Sequence, residues 1–462
     1  MSDTNTTPSG GNKLYFAVWR WHFYAGLYVI PFLIMLAITG IVMVWFTAVS
    51  SEYGDRIRLV PQAQMLSLPD QAKAALAAYP GAKLGQYIAP RSAENPALFR
   101  VDLTDSQRMI ALDPYSGAVL RDTGNGATWY ALADDIHGTL LIGTTGDRLV
   151  EIAASLGLLL VVTGIYLVWP RNGAGLRSLL VPNLRAKGRA LWKSLHGVLG
   201  FWISLVLVFF LISGLSWAGI WGGKYVQAWA TFPAAKWDNV PLSDARHKDM
   251  DMTGENTVPW TLEQTPMPMS GSDMGRDGLP MGMAVTLENI VALGRAIGFE
   301  GRFQVAFPAD ETGVWTLSQD SNSYDSSDPT ADRTVHIDQY TGKILAQVGF
   351  ADYGLVAKSM AVGVALHEGQ LGLWNVVLNI GFCLIVVFVC ASGVVMWWKR
   401  RPAGALRLAA PPLPAGVPLR GVAVIAALLS LAFPVLGAVL LAVLALDFLV
   451  VQNVPAVQRV LS

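Results

Sequence analysis

The chain has 462 residues, of which 53% are hydrophobic and only 14% are charged, and its mean hydropathy is +0.43. This composition is too apolar and too poor in charge for an ordinary soluble domain, so it excludes that class and indicates a membrane protein. The formal net charge is zero, and in a membrane protein the informative quantity is the side of the bilayer on which each charge lies.

Four uncharged stretches are long enough to cross a bilayer as helices, which takes about 20 residues. They are residues 27–49, 152–170, 197–223 and 369–398. A fifth apolar stretch, residues 421–451, is longer than one span requires and contains Pro434, so both a hairpin of short helices and one kinked helix remain open. The predicted fold class is a membrane α-helical bundle of four core spans plus this C-terminal segment.

The distribution of lysine and arginine predicts the orientation, because basic loops are retained on the cytoplasmic side. Residues 171–193 and 399–420 contain six and five basic residues and no acidic residue, whereas residues 46–151 and 224–368 together contain 19 basic and 31 acidic residues. The sequence therefore predicts a cytoplasmic N-terminus and two long loops on the outer side of the membrane. The first apolar stretch is interpreted as a retained helix rather than a cleaved signal peptide.

The two halves of the chain resemble each other, which predicts an internal duplication. His22 and His196 are each followed by a Thr/Ser-Gly pair that ends eighteen residues later, at Gly40 and Gly214. The second and fourth spans match in the same way, with D-I-H-G before T-G-I-Y-L-V-W-P-R and A-L-H-E-G before S-G-V-V-M-W-W-K-R. The predicted unit is a helix, an outer domain and a helix, used twice.

Each outer loop has the pattern of a small α+β module. The predicted helices are residues 68–78 and 287–297, and the predicted strands are 84–88, 97–103 and 109–113 in the first module and 303–307, 314–318 and 334–338 in the second. Both modules end in the turn motif D-x-Y-[ST]-G, at residues 111–120 and 336–345. Helix, strands and turn, repeated between paired spans, resemble the PepSY-associated transmembrane family up to about Arg401.

Members of that family include bacterial inner-membrane reductases of ferric siderophores that bind b-type haem. The resemblance implies two PepSY-like periplasmic domains. The predicted segments are the cytoplasmic N-terminus 1–17, spans 18–49, 136–170 (with a preceding outer helix), 191–223 and 356–398 (with an outer helix), periplasmic domains 50–135 and 224–355, cytoplasmic segments 171–190 and 399–420, the membrane segment 421–451 and the tail 452–462.

Four histidines at helix ends are the candidate ligands of a cofactor. The predicted topology places His22 and His196 at the cytoplasmic ends of their helices and His137 and His367 on the outer side. At a rise of ~1.5 Å per residue, Gly164 and Gly393 lie level with the inner pair, and Gly40 and Gly214 with the outer pair. Two opposed imidazoles, with glycines that admit the edge of a macrocycle, form a haem pocket. The pattern predicts two bis-histidine b haems.

Other interpretations of these residues remain open. The histidines are alternatively helix caps or interfacial residues, whereas two imidazoles without a third ligand make a poor zinc site, and Glu368 is the acidic candidate beside one of them. The residues expected at the haem propionates are Arg20, Lys193 and Arg171 on the inner side and Arg148 or Lys358 on the outer side, or else these are ordinary interfacial charges.

The remaining candidates receive plainer interpretations. His247 and His336 are predicted to be surface or packing residues, and Cys383 and Cys390 to be small residues that pack one helix face. Seven methionines lie between positions 250 and 283. This Met-rich loop, 247–283, is either a copper-gathering loop or, the favoured alternative, a flexible linker that packs its methionines on a neighbour.

The predicted function is electron transfer, because a histidine on each axial side leaves no open position on the iron. The resemblance implies that a quinol or a cytoplasmic donor supplies electrons and that a ferric siderophore or another Fe(III) chelate accepts them outside. No Rossmann fingerprint occurs, and no nucleic-acid partner is expected. The alternatives are a non-enzymatic PepSY scaffold or regulator, and a protein that handles copper or haem.

Overall fold

The computed structural model describes residues 10–124, 126–171, 175–250, 258–321, 323–401, 408–412, 416–417 and 420–461. The chain divides into two compact units, each built from separate segments. The helical unit comprises Met1–Ile41, Asp135–Val226 and Ile380–Ser462, and the sheet unit comprises Val42–Asp134 and Gln227–Asn379. Residues 251–257, within the predicted Met-rich loop, lie outside the described residues.

The α-helices account for most of the regular structure. They are α1 (Gly10–Trp45), α2 (Leu68–Leu76), α3 (Trp129–Thr139), α4 (Thr144–Val168), α5 (Arg177–Leu180), α6 (Arg189–Leu215), α7 (Gln227–Ala230), α8 (Leu287–Ala296), α9 (Leu355–Glu368), α10 (Leu373–Arg400), α11 (Arg420–Ala432), α12 (Pro434–Leu446) and α13 (Pro455–Leu461). The strands are β1 (Lys83–Ile88), β2 (Ala97–Asp102), β3 (Gln107–Leu112), β4 (Val119–Gly124), β5 (Leu242–Arg246), β6 (Pro266–Pro268), β7 (Gln304–Ala306), β8 (Val314–Gln319), β9 (Arg333–Asp338) and β10 (Ile344–Gly349).

Five helical stretches of the described chain are long and apolar enough to cross a membrane. They are Lys13–Ser50, Thr144–Val168, Arg189–Leu215, Leu373–Arg400 and Pro434–Val451. The first four correspond to the four predicted core spans. The predicted fifth segment is divided into α11 and α12, because Pro434 lacks the N–H that would continue the helix and Phe433 before it has φ −130° and ψ 86°.

Two predicted span boundaries are wrong, for local reasons. The fourth span was expected to begin at Gly369, but Gly369 has φ +81° and ends α9 in the left-handed conformation, so α10 is a separate helix that begins at Leu373. The third span was expected to reach Gly223, but α6 ends at Leu215. The following turn is held by the buried Glu151 of α4, whose carboxylate accepts the backbone N–H of Trp221 at 2.8 Å.

The helical unit packs around two apolar clusters. One joins α4, α6 and α12 through Leu158, Leu211 and Leu436, and the other joins α1, α6 and α10 through Ala37, Ile203 and Val386. Cys383 and Cys390 are buried, unoxidised members of the second cluster. Their predicted packing role is confirmed.

The sheet unit contains an eight-stranded antiparallel sheet with the strand order β10-β9-β8-β7-β1-β2-β3-β4. Strand β1 pairs with β7, and the register places Tyr87 opposite Val305. Helices α2 and α8 cover one face of this sheet and bury Phe99, Leu317 and Ile337 among others. The two predicted sets of strands are therefore joined edge to edge, and β4 and β10, which the sequence analysis missed, form the outer edges. The duplication itself stays a prediction.

The second face of the sheet is polar near its centre, where residues 247–250 and 258–259 lie beside Gln304, Thr316 and Thr334. His336 on β9 is fully buried there, and its Nε2 lies 2.9 Å from Nε2 of His247. His247 is also buried, and its Nδ1 donates to the backbone oxygen of Thr265 at 2.7 Å. Burial lowers the pKa of His247 to about 4. A surface location for these two histidines is wrong, whereas the packing interpretation agrees with their burial.

Candidate functional site

His22 and His196 are neighbours on different helices of the helical unit. His22 belongs to α1 and His196 to α6. Their ring centroids are 6.5 Å apart, and the two ring planes are nearly perpendicular, at 87°. Within the described chain, each ring makes its hydrogen bonds through Nδ1, and Nε2 takes part in none of them. The structure therefore brings together the pair that the sequence predicted, with an available Nε2 on each ring.

The Nδ1 atom of each ring is held by a third or fourth helix. Nδ1 of His22 lies 2.8 Å from Oγ1 of Thr163 on α4. Nδ1 of His196 lies 2.8 Å from Oγ of Ser392 on α10 and 3.0 Å from the backbone oxygen of Val389. Because the hydroxyls of Thr163 and Ser392 donate to carbonyls of their own helices, they accept from the imidazoles. Nδ1 thus carries the proton and Nε2 keeps its lone pair, as a metal ligand requires.

Gly164 and Gly393 lie directly against the two imidazole rings. A Cβ atom at Gly164 would lie 3.3 Å from Cε1 of His22, and one at Gly393 would lie 3.6 Å from Cε1 of His196. The sequence analysis assigned these glycines to the edge of a macrocycle. In the structure they also give the imidazole room to approach the facing helix closely enough for its Nδ1 hydrogen bond.

His137 has the same kind of neighbours on α1. Its Nδ1 lies 2.8 Å from Oγ1 of Thr39, and this hydroxyl donates to the backbone oxygen of Met35 at 2.8 Å. A Cβ atom at Gly40 would lie 3.9 Å from Cε1 of His137. The pair Thr39-Gly40 therefore supports His137 as Thr163-Gly164 supports His22.

His367 belongs to the sheet unit and lies in the last turn of α9. Nδ2 of Asn379 donates to the backbone oxygen of His367 at 2.8 Å, and Nδ2 of Asn375 donates to that of Leu366 at 2.9 Å. Both asparagines are buried. These two asparagines fix the end of the helix that carries His367. The pairing of His367 with His137 stays a prediction, and so does the role of Gly214 at the outer haem.

The sheet unit contains buried acidic side chains with raised pKa values, and one of them, Glu368, directly follows His367 in the sequence. Burial and, to a smaller extent, the charge of Asp134 raise the pKa of Glu368 to about 8. Burial also raises the pKa of Tyr130 and of Tyr324 well above the usual value, and their hydroxyls lie 3.4 Å apart. Glu368 is therefore mainly protonated at neutral pH, and a protonated carboxyl group is a poor metal ligand.

The basic residues predicted on the inner side have other surroundings in the structure. Nη1 of Arg20 donates to the backbone oxygen of Pro411 at 2.7 Å, and Nη2 donates to that of Leu461 at 3.3 Å. Arg171 donates to carbonyls at the end of α4, including that of Leu167 at 3.4 Å. Lys193 is exposed. Nothing in these contacts assigns a carboxylate ligand to them, and their role at a propionate stays a prediction.

The two basic residues predicted on the outer side are also engaged. Nη1 of Arg148 forms ion pairs with Asp147 at 2.7 Å and with Glu151 at 3.0 Å. Nζ of Lys358 donates to the backbone oxygen of Ala351 at 3.1 Å. Arg148 helps to hold the turn after α6, which is a structural task independent of any cofactor.

The sequence analysis missed the hydroxyl residues that orient the histidines. Thr39, Thr163 and Ser392 each precede one of the predicted glycines, and the Thr/Ser-Gly pair was noted as part of the repeat. Its recurrence at helical spacing from a histidine was the available signal. A hydroxyl on a facing helix is a suitable second partner for an imidazole whose other nitrogen binds a metal.

Replacing Thr163 with valine is expected to weaken cofactor binding at His22, because Nδ1 then loses its acceptor and the ring loses its fixed orientation. Losses of such second partners typically cost about 10- to 100-fold in affinity for the bound metal. Thr163→Ser keeps the hydroxyl and is the matched control. Haem titration of both purified variants measures the difference, and equal affinity for the two would show that the hydroxyl has no such role.

The five long apolar helical stretches define a multispan membrane protein, and His22 and His196 are neighbours within its helical unit. The chain belongs to the family described as the PepSY-associated TM region, whose model matches residues 19–400. A comparison with curated proteins finds no match.

Proposed function

We propose that the protein carries electrons across a bacterial inner membrane through b-type haem held by histidines of its helical unit. The observation that carries this proposal is the pair formed by His22 and His196. Their rings are 6.5 Å apart, and each Nδ1 is occupied by a hydrogen bond to a neighbouring helix. Each Nε2 is therefore the ring nitrogen that keeps a lone pair for a metal.

The separation of the rings fits one metal ion between them. Two metal–imidazole bonds of about 2 Å, plus roughly 1 Å from each ring nitrogen to its centroid, place the centroids roughly 6 to 6.5 Å apart. The observed separation of 6.5 Å lies at the upper end of that range. The distance between the two rings is therefore compatible with an iron that both of them would hold.

The set of available ligands favours haem over a bare metal ion. Among the described residues, no group of three or more His, Cys, Asp or Glu side chains could hold a metal. Two imidazoles alone leave most coordination positions of zinc or iron unfilled. A porphyrin supplies the four missing nitrogen ligands itself and, when bound, accepts and releases single electrons.

A second haem, with His137 and His367 as ligands, is proposed from the sequence pattern and from the support that Thr39 gives to His137. From the charge distribution, the N-terminus and the first pair of histidines are proposed to lie on the cytoplasmic side and this second pair on the outer side. Two haems at these levels would connect a quinol or cytoplasmic donor with an outer acceptor. Two histidines at each haem would leave no position on the iron for oxygen, so the chemistry that the group would supply is electron transfer.

The proposed acceptor is a ferric siderophore or another Fe(III) chelate on the periplasmic side. The family membership is compatible with this acceptor. The family model matches residues 19–400, and the acceptor was inferred from a resemblance carried by residues within that range. Copper handling by the methionines is less well supported than haem binding. Met267 is buried in an apolar core whereas Met281 is fully exposed, so these two thioethers have different surroundings.

An absorption spectrum of the protein purified in detergent tests the proposal. Reduction with dithionite is expected to produce the sharp bands of bis-imidazole haem, with about two haems per chain by pigment analysis. Reoxidation of these bands by an Fe(III) chelate tests the acceptor. A folded protein purified from haem-replete cells that binds no haem, even after haem is added, would be a scaffold, and the electron-transfer proposal would be wrong.

A further inference from the structure

Two arginines converge on one tryptophan at an end of the helical unit. Arg189 is the first residue of α6 and Arg400 is the last residue of α10. The guanidinium carbon of Arg189 lies 5.9 Å from the centroid of the Trp19 ring, and that of Arg400 lies 5.0 Å from it. Arg400 also lies 5.4 Å from the ring centroid of Phe23. Two positive charges are thereby held close to the same aromatic residue of α1.

Neither arginine has an anionic partner in the described part of the chain. The ion pairs of this part involve other arginines. Nε of Arg189 is buried and has no hydrogen-bond partner. A buried donor on a charged group is costly when it stays unpaired, because its hydration has been lost without replacement. In contrast, Arg20 and Arg148 are satisfied by carbonyl and carboxylate oxygens.

The positions of these residues relate them to the His22–His196 pair. Trp19 precedes His22 by three residues on α1, and Arg189 precedes His196 by seven on α6. Spacings of three and seven keep two residues on the same face of a helix, with axial separations of about 4.5 and 10.5 Å. Arg400 likewise follows Gly393, the neighbour of the His196 ring, by seven residues. Both guanidinium groups thus lie beyond the same end of the imidazole pair.

We propose that Arg189 and Arg400 form a carboxylate-binding site for the propionates of the haem at His22 and His196, an inference that rests on the proposed function. The planar fork of a guanidinium group binds carboxylates and phosphates through two parallel hydrogen bonds. Arg189 lies on the helix face of His196 and about 10.5 Å along the axis from it, and Arg400 lies equally far from Gly393. This position favours a ligand that contacts the histidines and the arginines at the same time. The phosphate of a lipid headgroup has the same chemistry and is the competing occupant.

This proposal assigns the inner propionates to residues other than Arg20 and Lys193. The guanidinium of Arg20 donates to two backbone oxygens, and Lys193 is exposed. Among the described residues, neither Arg189 nor Arg400 has an ion-pair partner, and Nε of Arg189 is buried without a hydrogen-bond acceptor. A carboxylate that binds them gains the attraction of both charges and supplies the acceptor that Nε of Arg189 lacks.

The experiment compares the double variant Arg189→Gln/Arg400→Gln with Arg185→Gln/Lys187→Gln, which removes two positive charges from exposed positions before α6. Haem content, the release of haem to apomyoglobin and the midpoint potential of each haem are measured on full-length protein. Loss of two positive charges favours ferric iron, so the haem missing in His196→Ala is expected to have a more negative midpoint potential. Its release is expected to be about 10-fold faster or more. Arg185→Gln/Lys187→Gln is expected to match the wild type.

Further variants separate the proposal from its competitors. Arg189→Lys/Arg400→Lys keeps the charges and is expected to restore most of the midpoint potential, which a general folding defect would not allow. Unchanged potential and release in the glutamine variant, with less phospholipid phosphate after purification, would assign the site to lipid and overturn the proposal. The proposal would also be overturned if the glutamine variant had the haem potential, haem release and phospholipid content of the wild type. Absence of haem from the wild-type protein would instead refute the proposed function, and this inference with it.

Discussion

Replacing His196 with alanine is expected to halve the haem content of the purified protein. Because His196 is proposed as one of the two ligands of the inner haem, that haem would lose an iron–nitrogen bond in the variant. The ring whose centroid lies 6.5 Å from that of His22 would also be missing. The outer haem depends on other histidines and is expected to keep its spectrum. Pigment analysis and the reduced-minus-oxidised spectrum measure both effects on one sample.

Ser194→Ala on the same helix provides the matched control, since its Oγ accepts a backbone N–H from Asn183 rather than contacting either histidine. Added imidazole is expected to restore part of the inner haem in His196→Ala by occupying the vacated volume. Loss of both haems, or of neither, in protein that retains its helical circular dichroism would contradict two separate sites.

Replacing His137 with alanine is expected to stop electron delivery to an outer Fe(III) chelate without preventing reduction of the inner haem. The reason is that the electron path is interrupted on the acceptor side only, while the ligands of the inner haem are untouched. Stopped-flow mixing of prereduced protein with the chelate measures the acceptor step. Its rate is expected to fall to the level of haem-free protein.

Thr39→Ser keeps the hydroxyl that lies 2.8 Å from Nδ1 of His137 and is expected to retain the transfer rate. Thr39→Val is expected to fall between this control and His137→Ala. If His137→Ala reduced the chelate as fast as the wild type, the acceptor would receive electrons by another route and the order of haems proposed for the path would be wrong.

The spans were predictable because a bilayer imposes a simple rule on length and polarity. Their ends were less predictable, since Gly369 and the turn that Glu151 holds act through local conformation and tertiary hydrogen bonds. Strands β4 and β10 were missed because strand pairing, rather than a strong alternating pattern, defines them. The burial of His336 was also beyond the sequence, because it depends on the segment that covers the second sheet face.

The histidines of the candidate site were predicted from the sequence, whereas the hydroxyl and charged residues near them were predicted less well. The spacing of His22 and His196 relative to glycines sufficed to pair them, because equal spacing on long helices translates directly into equal depth. The hydroxyl of Thr163 was visible in the same repeat but had no assigned task until its distance from His22 was known. The charged residues were the weakest part, since a guanidinium group reaches several partners and sequence gives no means of choosing among them.

The pairing of β1 with β7 affects how the protein must be made. Gln86 and Gln304, which meet across this pairing, are 218 positions apart, and α4 and α6 are synthesised between them. At 5 to 20 residues per second, the β1 edge waits roughly 10 to 40 s for its partner during translation. An unpaired strand edge is a template for aggregation during that interval. Assembly of the sheet is thus a late, non-local event, which makes this seam the step at which protection against aggregation would matter most.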